Sequence, residues 1–440
     1  MATVTNIYVP KKFTGRVIGP RGWILNKIQT ETKTKIRHFK ENGYFEVKGD
    51  KDAQHKAKLQ IKKIVSDPRI FKDHPIKVTF LDDSYLEEGS ELKLLKVATH
   101  LNIGKECYKL FLTEESRESL SKEVCCLDPL HGPLLEKLKT LHTKKTDTAF
   151  DLWGHFGYSY IVDIDEEDEN DIFTPQKIRS HLKFGIQPSP TATWSIAFQS
   201  GIAEQRVEQL CNDIQSGFPC SVKPIIRYDI CFYTPTCHQL RIKVFMTLDV
   251  NEPFEKSDDL LSFHYTRDEK VKFCLCLRYT KLLSFDILIP SRQLGSRLLL
   301  RSVPKAETPP PEMEEEQRIM VDYLSKALIV NEEGCVDLSC DYPLPDGFDQ
   351  AYWRRSVRST YPFNIGGESF KVMISKEEAW DHGKFENKAD IHVHCNFWDE
   401  KLKEGDWEPE EIASKLPSFL SFVRDVQRNF SLGDEQDGAI

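Results

Sequence analysis

Two glycines with a proline and an arginine between them, Gly19-Pro20-Arg21-Gly22, break a stretch that is helical in pattern on both sides. Thr14 to Ile18 reads as a brief helical turn, and after the break Ile24, Leu25 and Ile28 recur at helical spacing up to Thr32. Glycine at both ends of the break frees the main chain to take dihedrals that side chains forbid and to lie close against a ligand. Around it, Asn6 to Pro10 has a short strand pattern. Lys35 to Phe39 and Tyr44 to Lys48 read as two strands about the turn Glu41-Asn42-Gly43. Asp50 to Val65 closes the unit as a helix, with Ala53, Ala57, Ile61, Ile64 and Val65 on its apolar side. The order is β-α-α-β-β-α within about sixty-six residues.

The run from Val9 to Ile36 resembles the eukaryotic type I KH family. It holds the Val17-Ile18-Gly19-Pro20-Arg21-Gly22 core, then Ile24, Ile28 four residues on, and Glu31-Thr32 before the next strand. The resemblance covers residues of about 5 to 66, one-seventh of the chain. It implies a module that grips single-stranded RNA, with the GxxG loop clamping about four nucleotides of backbone. The loop also opens a helix, whose free amides and dipole favour an anion, and Arg21 adds a charged donor. By the same resemblance Val17, Ile18, Ile24, Ile28 and Ile36 form an apolar floor for the bases. Lys27, Lys35, Arg37 and Lys40 flank it. Pro20 departs from the pattern by removing one amide from the loop. Trp23 is unusual at the start of the helix. It reads first as a ring packed against its neighbours and second as a stacking platform for a base.

Charge separates this head from the remainder. Residues 1–66 hold fifteen Lys/Arg against five Asp/Glu, a balance of +10, so the chain's net −9 leaves −19 on the other 374 residues. A basic head on an acidic body confines any nucleic-acid contact to the head and suits the body to protein partners. No apolar run is long enough to span a bilayer, and Met1-Ala-Thr-Val-Thr5 lacks the charged and apolar regions of a signal peptide. An intracellular protein is expected, cytoplasmic or in ribonucleoprotein granules, with the nucleus left open. Twelve cysteines then read as reduced, mostly buried thiols, since no CxxC pair occurs.

Asp67-Pro68 and His74-Pro75 bracket an exit linker. In the body, strands are expected at Ile76–Leu81, Tyr158–Val162, Ile225–Tyr233, Leu240–Met246, Val271–Tyr279, Leu282–Ile289, Phe370–Ile374 and Ile391–Phe397. Helices are expected at Glu91–Leu101, Leu134–Leu141, Ala203–Ile214, from Ile319 through Leu328, and from Ile412 to Val426 with a break near Pro417. Lys305 to Glu316, with Pro309-Pro310-Pro311 and three consecutive glutamates, reads as a stiff polar spacer. The expected fold class is α+β: a KH domain at 1–70, then a mixed, mostly antiparallel body. Its parts would be a central domain at 76–304, a linker at 305–317, a C-terminal lobe at 318–432 and a tail at 433–440.

Other clusters are weighed and set aside. His392 and His394 alternate on one strand face with Asp390 beside them, but a zinc site needs two more ligands and only His382 is close in sequence. Cys274 and Cys276 share a strand face that reads as core. Asp163 to Asp171 holds seven acidic residues in nine positions without EF-hand spacing and reads as a solvated loop. Trp153, Phe156, Tyr158 and Tyr160 lie in acidic surroundings and read as a buried strand. No Walker loop, GxSxG elbow, HExxH or kinase signature is present, so no catalytic residue, metal or cofactor is assigned. The expected function is a single-stranded RNA-binding adaptor in an RNA-regulatory complex. The alternatives are an RNA-processing enzyme carrying a KH targeting module, and a structural subunit whose KH fold docks protein.

Overall fold

The computed structural model describes residues 3–40, 43–66, 76–83, 86–87, 89–97, 105–113, 115–116, 130–165, 168, 171–182, 193–202, 224–247, 263–276, 280–292, 294–304, 311–381 and 384–429. The expectations for 67–75, for Ala203–Ile214, for Tyr279, for His382 and for the tail from 433 lie outside them, as does part of the acidic run at 163–171.

The head contains β1 (Thr3–Tyr8), α1 (Lys11–Ile18), a single 3-10 turn (Pro20–Gly22), α2 (Trp23–Thr32), β2 (Lys35–Phe39), β3 (Tyr44–Gly49) and α3 (Lys51–Ser66). The strands form an antiparallel sheet in the order β1-β3-β2. Alternation places Ile36, Phe45 and Val47 on the helix side, and the i, i+4 series Ala57, Ile61 and Val65 turns one face of α3 towards them. Asp50 starts α3 by accepting from the Ala53 amide at 2.7 Å, and Asp52 complements the helix dipole.

The body runs through β4 (Ile76–Leu81), β5 (Leu92–Lys96), β6 (Tyr108–Leu112), α4 (His131–His142), β7 (Thr148–Val162), β8 (Ile172–Phe173), α5 (Pro175–His181) and β9 (Ser195–Ser200). Next come β10 (Ile225–Tyr233), β11 (Gln239–Met246), β12 (Phe263–Tyr265), β13 (Val271–Leu275), β14 (Thr280–Leu288), β15 (Gly295–Pro304) and α6 (Pro311–Ala327). It ends with β16 (Leu328–Val330), β17 (Val336–Leu338), β18 (Asp349–Ile365), β19 (Glu368–Asp381), β20 (Lys384–Cys395), α7 (Asn396–Glu404), α8 (Pro409–Ser414) and α9 (Leu416–Asn429). The chain is thus α+β, an N-terminal β-α-α-β-β-α unit followed by a larger, mostly antiparallel body.

One sheet carries the body, with the path β12-β13-β11-β10-β18-β19-β20-β7-β15-β14-β4; β5, β6, β8 and β9 attach beside it. Only the β14–β4 pair along that path is parallel. This corrects the division at 305–317. Strands β18 to β20, from beyond it, sit between β10 and β7, so no lobe boundary falls there. From Pro311 the expected spacer is already helix α6, with proline at a first-turn position that needs no amide donor. Glu91–Leu101 is corrected as well. Leu92 and Leu94 alternate into the core as strand β5, because the Leu/Lys pattern there satisfies period two as readily as a helical period. The strand expected to reach Phe397 stops at Cys395, where α7 begins. The final helix breaks at Lys415, between α8 and α9.

Two apolar clusters cover the same side of this sheet. α4, α7, α8 and α9 pack on β7, β14, β15 and β18–β20, and α6 packs on β10, β11 and β13. The alternate residues point to the other side: Arg227 and Asp229 on β10, Arg354 and Arg358 on β18, Glu377 on β19, Asp390 and His392 on β20, Asp151 and His155 on β7, Arg297 and Arg301 on β15. No helix of the described residues is long and apolar enough to cross a membrane.

Candidate nucleic-acid interface

Gly19 has φ +71° and ψ 174°, and a Cβ there would lie 2.5 Å from Cγ1 of Ile24. Gly22 has φ +77°, and Arg21 between them is also left-handed at φ +49°. The Gly19 amide donates to Gly15 O at 2.9 Å and the Gly22 amide to Gly19 O at 3.1 Å, closing α1 and fixing the turn. α2 begins immediately afterwards. Its first amide, that of Trp23, donates back to Pro20 O, and the positive end of the helix dipole lies at the exposed loop that carries Arg21. The strained turn persists because only glycine avoids the Ile24 clash and because α1 and α2 hold both of its ends.

The predicted residues divide into two sets. Pro20, Arg21, Trp23, Lys27, Lys35, Arg37 and Lys40 are exposed, and Ile18, Gly19, Gly22 and Ile24 are half-buried along the loop. Val17, Ile28 and Ile36 are 0%, 3% and 5% exposed, so they support the groove from the core and offer no surface to a base. This corrects their place in the apolar floor, which Ile18 and Ile24 alone can form. Trp23 corrects the packing reading: its ring is 62% exposed, with Lys27 Nζ 5.4 Å from the ring centre. Lys27 also pairs with Glu31 at 3.7 Å, two exposed side chains one helical turn apart. The Gln29 side chain ties α2 to β2 by accepting from the Ile36 amide at 2.8 Å. Lys35 and Arg37 share one face of β2, which is an edge strand.

Sequence reasoning missed an aromatic trio on this module. Tyr44 stacks on Phe39 at 5.0 Å and lies 5.7 Å from Tyr8, across the ends of the three strands. Tyr8 is 65% exposed. Three aromatic residues at paired strand ends were the available signal.

The module docks on the body through α3, away from the glycine loop. Lys62 Nζ, almost wholly buried, pairs with Asp349 at 2.7 Å and donates to the carbonyls of Thr234 at 3.0 Å and Gly347 at 2.8 Å. Lys58 reaches the other oxygen of Asp349 at 2.8 Å. Cys237, in the β10–β11 turn, joins the module's own core, and burial pushes its thiol pKa up. Glu316 of α6 braces that turn, accepting from the Thr236 amide at 3.0 Å and its hydroxyl at 2.6 Å.

The polar side of the body sheet gathers a second set of ionisable groups. Asp229 pairs with Arg227, Asp151 with Arg301 at 2.6 Å, and Asp286 takes a two-pronged contact from Arg297. Among them His155 Nε2 lies 3.3 Å from Asp390 Oδ1, and the His155 and His392 rings meet edge to face at 4.5 Å. Burial and the neighbouring His155 hold His392 well below the usual histidine range. Burial opposes ionisation of Asp390, but the His155 hydrogen bond and the nearby imidazoles bring its carboxyl below the usual range. His394 points along the same side yet is engaged elsewhere, its Nδ1 3.4 Å from Asp399.

A family model described as KH domain matches residues 4–63. No curated protein matches the chain. Among solved structures the chain is similar to the S. pombe Pct1 RNA triphosphatase in complex with the Spt5 CTD, at 11% identity and TM-score 0.37 over 70% of this chain and 96% of that one. The S. pombe Pct1 RNA triphosphatase by itself gives 10% and 0.36 over 70% and 98%. The Mimivirus capping enzyme triphosphatase gives 8% and 0.29 over 68% and 98%. Family match, element order and the geometry of the glycine loop agree: residues 4–63 form a type I KH domain.

Proposed function

We propose that this protein is a single-stranded RNA-binding adaptor, in which the KH domain holds RNA and the acidic body recruits protein partners of a ribonucleoprotein complex. The observation that carries the reading is the exposed Gly19–Gly22 loop at the start of α2, with Arg21 and Trp23 both free towards solvent. Backbone clamping needs close approach, a positive field and an anion-seeking helix end, and all three coincide there. Docking through α3 leaves that surface open. The −19 balance of the body keeps phosphate backbones away from it and supports its assignment to protein contacts. The site needs no catalytic group of its own.

The experiment is fluorescence anisotropy on a short unstructured RNA. The double change Pro20→Asp, Arg21→Asp removes a charge-assisted donor and adds repulsion at two exposed positions. Binding should weaken at least ~10-fold, the equivalent of about 1.4 kcal/mol, with the thermal midpoint nearly unchanged. Wild-type affinity should fall as salt rises, through counterion release. Equal binding by wild type and variant would move RNA recognition out of the KH domain.

A further inference from the structure

We infer that His155, Asp390 and His392 form a binding site for a transition-metal dication of the zinc class, on the polar side of the body sheet. The three come from two neighbouring strands. Asp390 and His392 are two apart on β20 and so share a face, and β7 pairs antiparallel with His155 opposite His392. One donor atom from each lies within 4.8 Å of the other two. The 3.3 Å between His155 Nε2 and Asp390 Oδ1 is close to the spacing of two ligands on one tetrahedral ion, roughly 3.3 Å for bonds of about 2.0–2.1 Å.

The donor chemistry selects the ion. Two imidazoles and one carboxylate are borderline ligands that favour zinc and its first-row neighbours, whereas magnesium and calcium take oxygen sets. Three protein ligands leave a fourth position for water or a small ligand. The strands make the set rigid. β20 is paired on both sides, by β19 along its whole length and by β7 at His392 to His394, so the donors are placed before the ion arrives. His394, next on the same face, has its Nδ1 held by Asp399, and its Nε2 is buried without a partner among the described residues. The site is separate from the KH surface, and RNA binding does not depend on it.

The test uses the full chain, stripped of metal with a chelator and dialysed, then titrated with zinc chloride in a calorimeter. Cobalt(II) added in parallel reports coordination by its visible absorption. One equivalent of zinc should bind, and cobalt should give the intense bands of a low-coordinate site. His155→Ala and His392→Ala should each weaken zinc binding at least ~100-fold, with circular dichroism and RNA affinity unchanged. If either alanine variant fails to fold, the isosteric Asp390→Asn decides by the same measurement. Absence of a one-equivalent zinc site in the wild type, or affinity unchanged in these variants, would overturn the assignment.

Discussion

Lys62 and Asp349 stand 2.7 Å apart, 287 residues from one another in sequence, and both are withdrawn from solvent where the KH domain meets the body. A buried ion pair costs desolvation and is held only when every remaining donor and acceptor is satisfied. Here the Lys62 ammonium also reaches two carbonyls, and Asp349 has Lys58 on its other oxygen. Its burial therefore fixes where the domain sits.

Lys62→Ala removes three contacts at once and leaves the buried Asp349 carboxylate without its closest cation, while the Thr234 carbonyl keeps the Cys237 amide at 3.0 Å. The change should destabilise the full chain by about 3 kcal/mol, the low end for breaking a buried pair by losing one partner. Urea unfolding followed by fluorescence would measure it. A loss below about 0.5 kcal/mol, the size expected of a surface substitution, would show that the pair is not buried in solution.

Trp23→Ala separates a stacking ring from a packed one. The exposed ring contributes little to stability, so the thermal midpoint should hold while RNA affinity falls by about 1–3 kcal/mol, the worth of one base on an aromatic platform. A lower midpoint with unchanged affinity would return Trp23 to a packing role.

Gly19→Ala tests the loop itself. The new methyl would meet Ile24 at 2.5 Å in a left-handed conformation, so the turn must open. Both KH stability and RNA binding should drop, and amide shifts in a heteronuclear NMR spectrum should change along Gly15 to Ile28. Gly43→Ala, also left-handed but with open space around it, is the control for strain alone.

Acid should loosen the docked domain through Glu316. Burial would raise its pKa, but hydrogen bonds from His238 and Thr236 hold it below its ordinary 4.5. A depressed folded value means the stabilisation is fully present above the unfolded pKa and fades as pH falls through the folded one. The stability gap between wild type and Glu316→Gln, measured by urea unfolding, should therefore narrow as pH falls below about 4.5. A gap that widened on acidification would reverse the sign.

The KH domain was legible in the sequence because its contacts are local: a glycine turn, three helices and three strands within sixty-six residues fix one another. Single elements of the body, such as Ile225–Tyr233 and Leu134–Leu141, were legible for the same reason, since their apolar periods are complete within one segment. Which strands pair was not legible, because β10 meets β18 and β7 meets β20 across more than a hundred residues, and alternation is equally satisfied by many partners. Ser356 and Asp286 show the limit most directly. Each occupies the polar beat of its strand and would be read as facing water, yet they are 0% and 2% exposed. A strand's pattern tells which residues share a face, whereas what covers that face is decided only when distant strands assemble. His155 came beside Asp390 and His392, and Lys62 beside Asp349, by that assembly alone.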